Sequence, residues 1–234
     1  YFYFMELGNY VVEVFSDEWL RNILFSTLFI LLILFIGKVV NKNYKKSILQ
    51  FFAIILIMGT LLEHSRNLIN GYWSISENLP LHLCGISSLI ACFILFIKKN
   101  NVLFEFLFYA GIIGGIQAFL TPQINNFDGS NFEYIDYYFS HAAIIIVPIY
   151  MYAFLNYKLS KYSWLKVLLP LNILLALIMP LNFQINSNYM YLAYPPAVDN
   201  PLIIGDWPFY IIYWEFIILI FTYTTYVIST RKSL

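Results

Sequence analysis

Seven long apolar runs, separated by short polar segments, dominate the chain: residues 21–40, 47–66, 80–98, 102–120, 136–157, 163–182 and 207–229. A helix needs about 20 largely apolar residues to cross a hydrocarbon core of about 30 Å, and each run is close to that length. Backbone exposed to lipid must satisfy its own hydrogen bonds, which restricts the spans to helices or to a closed barrel. The runs are continuously apolar rather than alternating, so they predict helices. The expected fold class is all-α: one integral membrane domain built as a bundle of seven transmembrane helices.

Charge adds orientation. The 234 residues are 61% hydrophobic and only 11% charged, against about 25% charged in a typical soluble domain, which excludes a water-soluble globular protein. The formal net charge of zero hides a spatial pattern. Lys38, Lys42, Lys45 and Lys46 join runs one and two; Lys98 and Lys99 join three and four; Lys158, Lys161 and Lys166 join five and six; Arg231 and Lys232 form the tail. The alternate segments carry Glu6, Glu13, Asp17, Glu18, Glu77, Asp128, Glu133, Asp136, Asp199 and Asp206, with only Arg21 and Arg66 among the thirteen basic residues. The positive-inside rule puts the basic side in the cytoplasm, so the N-terminus is expected outside and the C-terminus inside, as an odd number of spans requires. A multi-pass protein of the cell membrane is the expected localisation. Tyr1 to Trp19 is aromatic and acidic, unlike a cleavable signal peptide, and Met5 is a candidate start. No basic tract suggests nucleic acid. Two outer segments, 121–135 and 183–206, are long enough to form a functional surface.

Small residues point to close helix packing. Gly111 and Gly115, with Gly114 and Ala118 alongside, have the spacing that lets helix backbones approach. Cys84, Ser87, Ser88 and Ala91 form a small face on run three. Cys84 and Cys92 lie about two helical turns apart, roughly 12 Å, too far to form a disulfide.

Ionisable groups within a membrane are costly and mark candidate function. Glu63, His64, His82, His141 and Glu215, with Gln117, fall near the outer level under this topology, on several helices that could converge. Glu105 falls at the opposite end, where Lys98 or Lys99 could pair with it, and Glu63 and Arg66 have the spacing of an interfacial ion pair. A thiol activated by histidine is a nucleophile, so Cys84 with His82, His141 or His64 suggests covalent chemistry. In a regular helix His82 and Cys84 diverge by roughly 200°, so a histidine from another helix suits the thiol better, unless Pro80 leaves that turn irregular. A zinc ion held by the three histidines with Glu63 or Glu215 is an alternative without supporting ligand spacing. No cofactor or metal is expected. The same histidines and carboxylates would also suit a small transporter or ligand-binding membrane protein; a structural subunit would need none of them.

Leu79-Pro-Leu-His-Leu-Cys84, Gly115-x-Gln117-Ala-x-x-Thr-Pro122, Phe139-Ser-His141, Asn188-Tyr-Met-Tyr-Leu192 and Trp207-Pro-x-Tyr210 occur in that order. Together they resemble the bacterial YwaF-type integral membrane family, related to animal transmembrane protein 164, over about residues 15 to 229. The resemblance implies seven spans and an acyltransferase acting on membrane lipids, with a phospholipid or acyl-chain substrate. By that likeness Cys84, His82 and His141 match the catalytic positions; the shared outer level of Glu63, His64, Gln117 and Glu215, read from their depth, makes these a supporting polar cluster. Two departures stand out. The animal motif carries its thiol directly before the histidine, where this chain has Leu81, and Tyr194-Pro195 stands where many bacterial members carry Lys-Pro.

Overall fold

A computed structural model describes residues 8–231; Met5, Glu6 and Lys232 lie outside the described residues. In chain order the elements are β1 (Gly8–Val11), α1 (Asp17–Val39), α2 (Lys45–Ile69), α3 (Leu83–Phe93), α4 (Asn101–Leu120), β2 (Gln123–Phe127), α5 (Asn131–Phe154), α6 (Ser163–Ile185) and α7 (Phe209–Thr230). Among the described residues, six of the seven helices are long and apolar enough to cross a membrane. The exception is α3. Its 11 residues span about 16 Å at 1.5 Å per residue, half of the expected run over 80–98. Irregular chain precedes and follows it.

Local chemistry sets the helix starts. The Ser16 hydroxyl accepts the Trp19 amide at 3.2 Å, with Asp17 and Glu18 in the first turn of α1. Both features favour a helix N-terminus. Asn100 caps α4 by accepting from Val102 and Leu103, and Ser130 caps α5 by accepting from Glu133. One turn of α4, Leu107–Gly111, is π-helical.

Burial ranks the helices. Within their most apolar stretches, 61% of α4 and 50% of α5 is buried in the protein, against 11% of α7 and 17% of α1 and α6. Thus α4 and α5 form the centre, and the peripheral helices expose apolar side chains such as Leu24, Leu28, Leu31 and Phe35. Glycines make the central contact close. A Cβ on Gly111 would lie 2.6 Å from the Ile144 carbonyl oxygen, and one on Gly115 2.6 Å from Ile145 Cγ1. A second, smaller cluster of Ile178, Tyr189, Leu192, Tyr210 and Ile211 joins the end of α6 and the start of α7 to the segment between them.

The connecting segments sort into two groups by direct contact. At one end, Lys99 Nζ donates to the Asn156 carbonyl at 2.8 Å, and Tyr150 Oη to the Lys45 carbonyl at 3.1 Å. At the other, Arg66 pairs with Asp128 at 2.6 Å, Asn126 donates to Glu77 at 2.8 Å, and the Val198 amide donates to Gln123 at 2.8 Å. The basic links therefore share one end, and the acidic segments share the other.

Three expectations need correction. The fold is not wholly α: β1 pairs antiparallel with β2, with Tyr10 opposite Ile124 and Val11 opposite Gln123, so part of 121–135 is strand. Arg66 pairs with Asp128 rather than Glu63, because the turn before α5 reaches over the end of α2. Glu105 is buried and accepts the Ser160 amide at 2.6 Å instead of pairing with Lys98 or Lys99; Lys99 lies over the Tyr157 ring.

Candidate functional site

A cavity of about 500 Å³ opens at the acidic end of the bundle, between the central helices and the α6–α7 pair. Its lining includes Glu63 and His64 from α2, His82 and Cys84 at the start of α3, Gln117 from α4, His141 from α5 and Glu215 from α7, but not Glu105. The wall is two-faced. Thr60, Asn67, Asn125 and Asp136 make one side polar, whereas Leu171, Leu175, Ile218 and Phe221 make the α6–α7 side apolar.

The irregular turn at Pro80 brings His82 and Cys84 to the same space. His82 is extended (φ −64°, ψ 149°) and precedes the first helical residue, so the divergence expected for a regular helix does not apply. Cys84 occupies the second position of α3, and no side chain caps that N-terminus. The first-turn amides have no intrahelical partners and carry the positive end of the helix dipole. Gly114 gives the thiol its room, because a Cβ there would stand 3.0 Å from Cys84 Sγ. Ser88 also lines the cavity, while Ser87 and Ala91 turn fully into the core.

Hydrogen bonds assign the histidine nitrogens. His141 Nδ1 lies 2.6 Å from the Tyr137 carbonyl oxygen, one turn earlier. A carbonyl only accepts, so the proton is on Nδ1 and Nε2 carries a lone pair. His82 Nδ1 accepts the Met190 amide at 3.1 Å, and His64 Nδ1 accepts Trp73 Nε1–H at 3.1 Å. Both donors are N–H groups, so in each of these rings Nδ1 supplies the lone pair. Of the three, His141 alone offers an unprotonated Nε2.

Other expected contacts differ. Cys84 Sγ makes no hydrogen bond among the described residues. Glu215 accepts from Asn172 Nδ2 on α6 at 2.9 Å, and Gln117 donates to the Thr121 hydroxyl at 2.8 Å. Neither Glu63 nor Glu215 bonds a histidine among the described residues. The same residues contain no group of three or more His, Cys, Asp or Glu side chains arranged for a metal ion.

Several contributors had no sequence signal strong enough to single them out. The Tyr137 ring packs on His141 at 4.3 Å between centroids, and its hydroxyl donates to the Ala118 carbonyl at 3.0 Å. Its position four residues before His141 was the available clue. The segment between α6 and α7 roofs the cavity: Gln123 accepts the Val198 amide at 2.8 Å and donates to Asn125 at 2.7 Å, and Asn125 reaches the Tyr191 hydroxyl at 3.4 Å. Burial raises the Tyr191 phenol pKa above its ordinary value, which keeps that hydroxyl an uncharged partner.

The TMEM164 family signature matches residues 14–226, most of the chain. No curated protein and no solved structure matches it. The chain belongs to the TMEM164 family, and with six helices long and apolar enough to span it is a multi-pass membrane protein.

Proposed function

We propose that this protein is a membrane-embedded acyltransferase that moves fatty acyl chains between lipids through a thioester on Cys84. The strongest support is one thiol and one available imidazole lone pair, Cys84 and His141 Nε2, on the wall of the same cavity. Family membership and the amphiphilic lining agree with a lipid substrate. A headgroup would lie against the polar side near Asn125 and Asp136, and an acyl chain along Leu171, Leu175 and Phe221. An acyl chain would enter from the bilayer past α6 and α7, which are among the least buried helices.

In the forward half-reaction His141 Nε2 takes the thiol proton as Sγ attacks the ester carbonyl carbon. The S–C bond forms, the C–O bond breaks, and the proton passes to the departing alkoxide oxygen. A lysolipid with a free hydroxyl leaves. In the second half, the hydroxyl of an acceptor lipid gives its proton to Nε2 and its oxygen attacks the thioester carbonyl; the C–O bond forms, the S–C bond breaks, and Nε2 returns the proton to Sγ. The uncapped first turn of α3 supplies positive potential for the charge developing on the carbonyl oxygen. Cys84 and His141 need not be bonded beforehand, since catalytic hydrogen bonds often tighten only with substrate bound. Proton relay falls to His141 rather than His82, whose Nδ1 already accepts the Met190 amide. The proposed setting is seven passes through a bacterial plasma membrane, N-terminus outside, with chemistry at the outer leaflet.

The test is acyl transfer by the purified protein in lipid vesicles. Cys84→Ala should abolish both transfer and labelling of the protein by an acyl probe, and His141→Asn should slow transfer by about 10²–10⁴-fold. Unchanged transfer in Cys84→Ala would remove the enzyme reading. Loss of proton-coupled uptake in His141→Ala, with Cys84→Ala harmless, would replace it with a transporter.

A further inference from the structure

The segment after α6 contains an arrangement that acyl transfer as described above does not use. Asn182 is 1% exposed, and both the oxygen and the nitrogen of its side-chain amide are hydrogen-bonded. Oδ1 accepts the Ser187 hydroxyl at 2.7 Å and the Tyr189 amide at 2.9 Å, and Nδ2 donates to the Tyr189 carbonyl at 2.9 Å. The next two residues, Met190 and Tyr191, both adopt positive φ, 57° and 54°. L-residues with long side chains take that conformation at an energetic cost, and it persists only where surroundings enforce it. Tyr189 enforces it from the other side. Its hydroxyl donates to the Ile75 carbonyl at 2.7 Å and accepts the Leu79 amide at 2.9 Å, tying the segment to the chain that leads into His82. The Tyr191 carbonyl accepts the Tyr210 hydroxyl. The product of this strained turn is a single contact, the Met190 amide on His82 Nδ1 at 3.1 Å, with the ring held between Tyr189 and Tyr191.

A backbone amide can only donate, so it fixes the tautomer of the ring it meets. We infer that Asn182 is a positioning residue that holds the Met190 amide on His82 Nδ1 and thereby commits His82 to carry its proton on Nε2, as a permanent hydrogen-bond donor to the cavity. Resting on the acyl-transfer reading, that donor serves the carbonyl oxygen of the lipid ester as it gains negative charge, opposite in role to the lone pair of His141. The two imidazoles thus divide the work of donor and base, and their neighbours set the division rather than their own chemistry.

The tautomer can be read without substrate. The chain has three histidines, so ¹⁵N-histidine NMR of the full chain in nanodiscs, with His64→Asn and His141→Asn for assignment, isolates the His82 signals. The wild type should show a bare Nδ1 and a protonated Nε2. Asn182→Ala should lose this single form and give mixed tautomers, whereas Met190→Gly, which keeps the amide and relieves the positive φ, should retain it. A protonated Nδ1 in the wild type overturns the assignment whether or not any variant folds. An unchanged His82 spectrum in Asn182→Ala also overturns it. In the vesicle assay Asn182→Ala should lower the rate constant for acylation of Cys84 by up to about 10²-fold, the loss typical of an oxyanion donor, with little change in KM for lipid. Failure of Cys84→Ala to abolish transfer would remove the acyl reading and leave the tautomer result standing.

Discussion

Gly111→Ala should loosen the centre of the bundle, because α4 and α5 meet there backbone to backbone. The added Cβ would lie 2.6 Å from the Ile144 carbonyl oxygen, where ordinary contact begins at 3.4 Å. The neighbour is helix backbone and cannot rotate away, so the axes must part by about 0.8 Å, the difference between those distances. Overpacking against backbone that cannot yield falls in the upper part of the usual range, about 2–3 kcal/mol. The helix preference of alanine over glycine returns at most about 1 kcal/mol, leaving a net loss of about 1–2 kcal/mol. At about 2–4 °C per kcal/mol for a chain of this size, the melting temperature should fall by about 2–8 °C. Cys92 is 2% exposed and reports opening through alkylation by a thiol-reactive dye in nanodiscs, in a Cys84→Ala background so that one thiol responds. Gly59→Ala is the control, since the nearest atom to its Cβ is a side-chain oxygen, Asp136 Oδ1, at 3.0 Å. Should Gly111→Ala melt at or above the parent temperature, the close approach of α4 and α5 would not be what holds the centre together.

Acid should weaken the latch between Arg66 and Asp128 at the acidic end of the bundle. Burial disfavours the Asp128 carboxylate, but hydrogen bonds from Ser130 and the Arg66 guanidinium more than offset it and hold its pKa below the ordinary value. The contribution is therefore present above the unfolded pKa and lost as pH falls through the folded one; it should amount to about 1 kcal/mol at most, and Asp128→Asn should flatten that part of the pH–stability profile. Membrane topology can be read on intact cells with a membrane-impermeant maleimide: Asp206→Cys should label and Lys158→Cys should not, and the reverse pattern would invert the proposed orientation.

The spans and the grouping of their links were legible because both follow from one-body properties, apolarity and charge, that each residue carries wherever it sits. Lys45 and Lys99 end up at one end of the bundle and Asp128 at the other because their links return to the same side at every second crossing. The sheet was not legible. Gly8–Val11 and Gln123–Phe127 are short, and their pairing depends on the packing of α1 against α5, where Asn22 donates to the hydroxyls of Tyr134 and Tyr138 at 2.5 and 2.8 Å. Asn182 read as one of several asparagines in a turn-rich segment; only its burial separates it from Asn186 and Asn188. The choice among His64, His82 and His141 was equally closed to sequence, since it rests on whether an N–H or a carbonyl faces Nδ1.

The departure at α3 explains how the site can exist. An unbroken helix over 80–98 would send His82 and Cys84 to faces roughly 200° apart, and Cys84, as its fifth residue, would lie past the free first-turn amides with its own amide already bonded. Beginning the helix at Leu83 changes both consequences at once: His82 becomes free to turn toward the cavity, and Cys84 gains the unbonded first-turn amides. The penalty is non-helical chain at membrane depth, which lipid would not tolerate. It is met by protein on both sides of α3. Beyond its end Ile94 and Leu95 are 1% and 3% exposed, and the Leu95 carbonyl accepts Gln50 Nε2 at 3.2 Å. Before its start, the Leu79 amide and the Ile75 carbonyl both bond the Tyr189 hydroxyl. Shortening α3 and folding the 187–192 segment over it are thus one structural solution, and a change that freed Tyr189 would expose unpaired backbone as well as release His82.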